Sequence, residues 1–200
     1  MYAVAKTAAK NLNTVRINAG LWRSRLIKFP DAEGLRPTPE RVRQTVFNWL
    51  GQDLTGLRCL DLFAGTGVMG FEALSRGATA VTLVEKSSLA CAALQGNKTL
   101  LNSTAASVLQ QDAMQFLAKN TQPFQLIFLD PPYNHGWLAK VLPLLAAHLH
   151  ADGTVYVEAE FALDEHEQAS SQPFLVGWQV VKQSKAGNVF YHLLKLAKNE

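Results

Sequence analysis

Residues Cys59-Leu60-Asp61-Leu62-Phe63-Ala64-Gly65-Thr66-Gly67-Val68-Met69-Gly70 constrain the fold more than any other stretch. An apolar run ends in an acid and a glycine-rich loop follows. Phe71-Glu72-Ala73-Leu74-Ser75-Arg76 then carries a helical pattern as far as Gly77. That is a strand, a tight turn and the start of a helix. Gly65, Gly67 and Gly70 keep the G-x-G-x-x-G spacing that lets a backbone approach a nucleotide closely. Asp61 stands four residues before the first glycine, where an anion would repel a pyrophosphate.

The same alternation of strand and helix continues on both sides. From residue 57 the pattern predicts strands near 58–62, 81–85, 106–110, 125–130, 153–158, 177–183 and 188–196. It predicts helices near 67–76, 88–101, 113–119 and 137–149. The early strands are short and almost wholly apolar, as in a parallel sheet buried on both faces. The last two follow one another around Lys185-Ala186-Gly187-Asn188 without a helix and read as an antiparallel hairpin. The expected fold is α/β: a Rossmann-like, mostly parallel seven-stranded sheet closed by that hairpin, the shape of AdoMet-dependent methyltransferases. Domain 36–200 carries it, and residues 1–35 form a small basic extension.

Within that extension, residues 1–14 read as a frayed tail. Val15-Arg16-Ile17-Asn18 and Leu21–Ile27 read as two strands turning at Ala19-Gly20. Thr38 is placed to N-cap a helix with Pro39 at its first position. Val42, Val46, Trp49 and Leu50 share the inward face of that helix, leaving Arg36, Arg41 and Arg43 for solvent or substrate. Charge is distributed unevenly. Residues 1–43 hold nine Lys/Arg against three acids, a net of +6, while the rest holds ten against thirteen, a net of −3. A basic end on an acidic body suggests a polyanionic partner there. Arg16, Trp22, Arg23, Arg25, Arg36, Arg41 and Arg43 are the candidate RNA contacts, arginines interleaved with a tryptophan.

Other features exclude whole classes. No apolar run approaches membrane-spanning length, and the N-terminus lacks the apolar core of a secretory signal. Cys59 and Cys91, the two cysteines, lack metal-ligand spacing. They read as buried thiols in a reducing compartment, so a cytoplasmic protein without a metal is expected.

Ligands of open α/β sheets bind beyond the carboxyl ends of the strands. Four acids fall there: Asp61, Glu85, Asp112 and Asp130. S-adenosylmethionine (AdoMet) offers an ammonium to Asp61, ribose hydroxyls to Glu85 and an adenine amino group to Asp112. Phe63, Ala64, Gly65, Thr66, Gly67, Lys86 and Ala113 complete the expected pocket. Asp130-Pro131-Pro132-Tyr133 ends another apolar run, Phe124–Leu129. Two prolines stiffen the turn and donate nothing. The Asp130 carboxylate and Pro131 carbonyl can therefore accept both hydrogens of an exocyclic amine. Tyr133 offers a ring for the base to stack on.

With these motifs in view, the chain resembles the bacterial 16S rRNA (guanine-966-N2)-methyltransferase family over residues 15–196. The marks are Arg16-Ile17, Gly20–Arg25, Gly34-Leu35-Arg36-Pro37-Thr38-Pro39-Glu40-Arg41-Val42-Arg43-Gln44-Thr45-Val46-Phe47-Asn48-Trp49-Leu50, Asp61–Gly67, Glu85 and Asp130–Tyr133. The resemblance implies methyl transfer from AdoMet to N2 of one guanine in 16S rRNA. It implies a 30S subunit or assembly intermediate as substrate. The protein is expected to be a monomer. The family often has Phe where Tyr133 stands; either ring can stack. Three rival readings are weaker. An amino methyltransferase on adenine N6 or another DNA or RNA amine conflicts with residues 34–50. A non-catalytic assembly factor conflicts with an intact Asp130 motif, and an NAD-dependent dehydrogenase with Asp61.

Overall fold

The computed structural model describes residues 12–164 and 171–197. The chain runs β1 (Leu12–Arg16), β2 (Leu26–Pro30), α1 (Glu40–Leu50), β3 (Arg58–Asp61), α2 (Val68–Ser75), β4 (Ala80–Glu85) and α3 (Ser88–Leu100). It continues as β5 (Ala106–Gln110), α4 (Ala113–Lys119), β6 (Phe124–Leu129), α5 (Trp137–Leu145), β7 (Leu149–Ala159), β8 (Trp178–Ala186) and β9 (Val189–Leu196). Among the described residues one sheet has seven strands in the order β5-β4-β3-β6-β7-β9-β8. β3, β4, β5, β6 and β7 run parallel, and β9 pairs antiparallel with both β7 and β8. The α/β methyltransferase architecture expected from the sequence is the one found.

Side-chain alternation along the strands builds a core on each face of the sheet. Cys59, Val81, Leu83, Leu126 and Phe128 face one layer with Val46, Phe47, Phe71 and Leu94 of α1, α2 and α3. Leu60, Val84, Ile127, Leu129 and Val155 face the other with Phe116, Val141 and Leu142 of α4 and α5. Strand order reverses around β3, which has β4 on one side and β6 on the other. A crevice therefore opens beyond the carboxyl ends of these strands, where such sheets bind ligands.

Two boundaries differ from the sequence reading. The helix expected over 137–149 stops at Leu145 and passes through a 3₁₀ turn, Ala146–His148. The strand expected at 153 already begins at Leu149, and an irregularity opposite Phe124–Leu126 absorbs its extra length.

The N-terminal hairpin exists, but its register differs. β1 and β2 pair from Leu12↔Pro30 to Arg16↔Leu26. Residues 12–14 thus belong to a strand; residues 1–11 lie outside the described part. Ala19-Gly20 is not the hairpin turn. It is where the chain presses onto the end of α2: Leu21 N–H donates to the Ser75 carbonyl at 2.7 Å, and Trp22 N–H to Ser75 Oγ at 2.8 Å. A Cβ on Gly20 would stand 1.7 Å from the Ser75 carbonyl oxygen, so only glycine fits. Glu72, fully buried, accepts the N–H groups of Asn18 (2.7 Å) and Ala19 (3.1 Å).

Candidate active site

β3 delivers Asp61 to the crevice with 5% of its surface exposed. Its Oδ2 accepts Gly70 N–H at 3.2 Å, which ties the strand tip to the first turn of α2. Burial, and more weakly Glu85, push its carboxyl up to about 7 against the pull of that N–H. The glycine loop turns between them. Gly67, the residue before α2, has φ +75°, and a Cβ there would lie 2.4 Å from Leu94 Cδ2. Ala64 N–H donates to the Val84 carbonyl, and the Ala64 carbonyl accepts Gly67 N–H. Thr66 is buried, with Oγ1 3.4 Å from Val68 N. Phe63 packs edge-on against Trp137 of α5, centroids 5.2 Å apart.

Glu85 ends β4 and grips two loops at once. Oε2 accepts Gly65 N–H at 2.9 Å and Oε1 accepts Ser87 N–H at 2.7 Å. Asp112 precedes α4 and caps it, Oδ1 accepting Met114 N–H at 3.0 Å and Gln115 N–H at 3.4 Å. Its Oδ2 lies 3.5 Å from the exposed Lys86 ammonium. Ala113, the first residue of that helix, is buried. Leu35, from the segment between β2 and α1, reaches over the loop: its Cδ1 would lie 3.2 Å from a Cβ on Gly65.

Asp130 follows β6 directly. Burial, then Glu158, then Asp61 hold its carboxyl well above the usual range. Pro131 is buried, Pro132 is exposed and Tyr133 is half-buried. Burial and the acids Asp130, Glu158 and Glu160 raise the Tyr133 phenol. The turn closes at Asn134, φ +64°, whose N–H donates to Glu160 Oε1 at 2.9 Å.

The sequence reading missed Glu158. It lies near the end of β7, 4% exposed, and its Oε1 accepts the Tyr156 hydroxyl at 2.6 Å. Thr38 bonds the same carboxyl. Thr38 is therefore not a helix cap. Pro39 precedes α1, no side chain caps it, and the Thr38 hydroxyl goes to Glu158 instead. A signal for Glu158 existed. Acids were read at four strand tips, and Glu158 occupies the fifth.

Two of the candidate RNA contacts do not face solvent. Arg43 is 1% exposed; its NH1 reaches Glu72 Oε2 at 3.4 Å and the Arg16 carbonyl at 2.8 Å, and its Nε the Thr38 carbonyl at 3.2 Å. The buried Glu72 draws the guanidinium inward, where burial lowers its pKa. Trp22 is 8% exposed and packs in the core layer of α1 and α2. Arg16, Arg23, Arg25, Arg36 and Arg41 are exposed. Arg16 and Arg25 each touch one backbone carbonyl, of Ser24 and Leu100.

A family profile described as conserved hypothetical protein 95 matches residues 15–195. "Ribosomal RNA small subunit methyltransferase D" of Escherichia coli K12 is 38% identical over 181 residues, 90% of this chain and 88% of that protein. The chain belongs to this family. The Haemophilus influenzae protein of the same name is 37% identical over 187 residues, 90% of this chain and 92% of that one. A solved Escherichia coli structure, yhhF, superposes with a TM-score of 0.81 at 37% identity, covering 92% of this chain and 98% of that one. Membership bears out the resemblance drawn from the glycine loop, residues 34–50 and the Asp130 motif. Among the described residues no helix is long and apolar enough to cross a membrane.

Proposed function

We propose that this chain transfers a methyl group from AdoMet to the exocyclic N2 of the guanine at position 966 of 16S rRNA, acting as a cytoplasmic monomer on a 30S subunit or assembly intermediate. The observation that carries the reading is Asp130-Pro131-Pro132-Tyr133 at the tip of β6, beside the glycine loop at the tip of β3. The donor set suits AdoMet. The turn of the glycine loop, residues 63–67, leaves room for its amino-acid end, Asp61 suits its ammonium, Glu85 its ribose diol and Asp112 its adenine amine, with Lys86 and Ala113 alongside. Bound there, AdoMet supplies an electrophilic methyl on sulfur. The protein's own part is to hold the amine. The Asp130 carboxylate and Pro131 carbonyl accept its two hydrogens, which turns the nitrogen lone pair out of conjugation with the ring. Pro132 keeps the turn stiff, and Tyr133 stacks on the base. Residues 1–35 act as an RNA-docking extension of the catalytic unit 36–200, with Arg16, Arg23, Arg25, Arg36 and Arg41 on phosphates.

The test uses 30S particles from cells lacking the enzyme and labelled AdoMet, with the modified nucleotide identified by mass spectrometry. N2-methylguanosine at one site is expected. Asp130→Ala should bind AdoMet normally in calorimetry and lose about 10²–10³ in rate, the scale for a contact made only in the transition state. Methylation of an adenine, or an Asp130→Ala enzyme near the wild-type rate, would sink the reading.

A further inference from the structure

The mechanism above leaves the buried carboxyl beside Asp130 unused. Pairing of Leu129 with Val157 carries Asp130 alongside Glu158 on neighbouring parallel strands, side chains on the same face. Glu158 is almost wholly buried. Burial raises its carboxyl above the usual range, and two hydroxyl donors, Tyr156 at 2.6 Å and Thr38, oppose that by favouring the charged form. The Tyr156 ring packs in the core against Phe128, while its hydroxyl is spent on this acid. A buried acid with two dedicated donors, one from β7 and one from the segment before α1, is costly unless it does something.

We propose that Glu158 is a positioning residue of the transfer step: held as a carboxylate beside Asp130, it strengthens Asp130 as the acceptor of the proton that the amine loses. The inference rests on the methyl transfer proposed above. In that step the nitrogen lone pair forms the N–C bond as the S–C bond breaks, and the S–C electron pair stays on sulfur as a thioether. The nitrogen is then left with one proton too many. That proton passes to the Asp130 carboxylate and from there to solvent at the partly open mouth of the crevice. A like charge next to a base disfavours its ionised form and raises its proton affinity. The groups facing Asp130 are Glu158 and Tyr156 from β7, Asp61 from β3 and Tyr133 from its own turn, with Glu160 beyond β7 facing Tyr133. None is a cation that would undo the effect. Burial and both acids push Asp130 up; burial raises Glu158 as well, and there the two hydroxyls pull back towards the charged form.

Two measurements on the same proteins test this. The first is a ¹³C NMR titration of the Asp130 carboxyl in ligand-free protein, which needs no substrate. The second is the pH profile of kcat for methyl transfer to 30S particles. In Glu158→Gln the Tyr156 hydroxyl keeps an acceptor, but the like charge is gone. The Asp130 midpoint should fall by about one pH unit or more. The acid limb of kcat should move down with it, and the plateau rate should drop on the order of tenfold as the base weakens. AdoMet affinity should not change. Tyr156→Phe removes a donor, lets Glu158 take a proton more readily, and should shift both readings in the same direction by less. An unmoved Asp130 midpoint in both variants overturns the coupling. A moved midpoint with an unmoved acid limb overturns its role in transfer. Wild-type enzyme that methylates nothing would refute the proposed function instead, and the titration would still report on the pair.

Discussion

Glu72 is the sharpest place to test how the hairpin is held. It is fully buried and serves five donors: the N–H groups of Asn18 and Ala19, Arg43 at 3.4 Å, and Arg76 through Nε at 3.0 Å and NH2 at 2.8 Å. Both arginine side chains are nearly inaccessible, 1% and 4% exposed. Glu72→Gln keeps the shape and one acceptor oxygen but removes the charge opposite two guanidiniums. Removing one member of a buried ion pair typically costs about 3–5 kcal/mol, because the partner remains buried and uncompensated. For a chain of this size 1 kcal/mol moves Tm by roughly 2–4 °C, so a fall of about 6–20 °C is expected. Calorimetry measures it, with Glu40→Gln at the exposed start of α1 as control at about ±0.5 kcal/mol. Hydrogen exchange read by mass spectrometry should rise first over residues 17–25. A fall of less than about 3 °C, or unchanged exchange there, would refute the claim that this acid holds the hairpin.

Three further outcomes are expected. Glu85→Ala should weaken AdoMet by about 1.5–3 kcal/mol in calorimetry, the scale of a hydrogen bond to a charged group; equal affinity would remove Glu85 from the cofactor site. Arg23→Ala with Arg25→Ala should flatten the slope of log affinity for rRNA against log salt by about 1.4, two phosphates at −0.7 each for single strands. An unchanged slope would place the RNA elsewhere. Burial lowers His192 from 6.5 to about 4, so its folded form is neutral; the stability this supports is present above pH 6.5 and lost as pH falls towards 4. His192→Gln keeps an acceptor for Leu163 N–H and should lose about 3 kcal/mol less over that interval than wild type in urea titrations; equal losses would refute the assignment.

The order of elements and the parallel sheet were legible because each buried strand is a short apolar run and each helix restarts a 3.6-residue period. The glycine loop and the Asp130 turn were legible because their backbones demand particular residues. What was not legible depends on partners distant in sequence. Thr38 obeys the capping rule locally, yet its hydroxyl is claimed by Glu158, 120 residues later. Arg43 sits in a basic run that reads as a solvated face, and only the fold brings Glu72 to it. The hairpin register escaped because Ile17, Trp22 and Ile27 pack on the core across the sheet's first layer, not against one another as strand partners. Glu158 follows Val155-Tyr156-Val157 directly, and that apolar run draws the eye from the acid at its end.

α2 has a use beyond packing. Its first turn receives the glycine loop through Gly67 and Gly70, and its last turns, through Glu72 and Ser75, receive the N-terminal hairpin. Eight residues at 1.5 Å each make a ruler of about 12 Å between the two. Its length and phase set how far, and in what direction, the exposed arginines of the hairpin stand from the glycine loop. One residue inserted into the ruler would swing the hairpin by about 100° about the helix axis and leave the crevice untouched. Reach and chemistry are thus adjustable separately: a related chain could address a different position on its substrate by changing the gauge of this one helix, with every acid at the strand tips left in place.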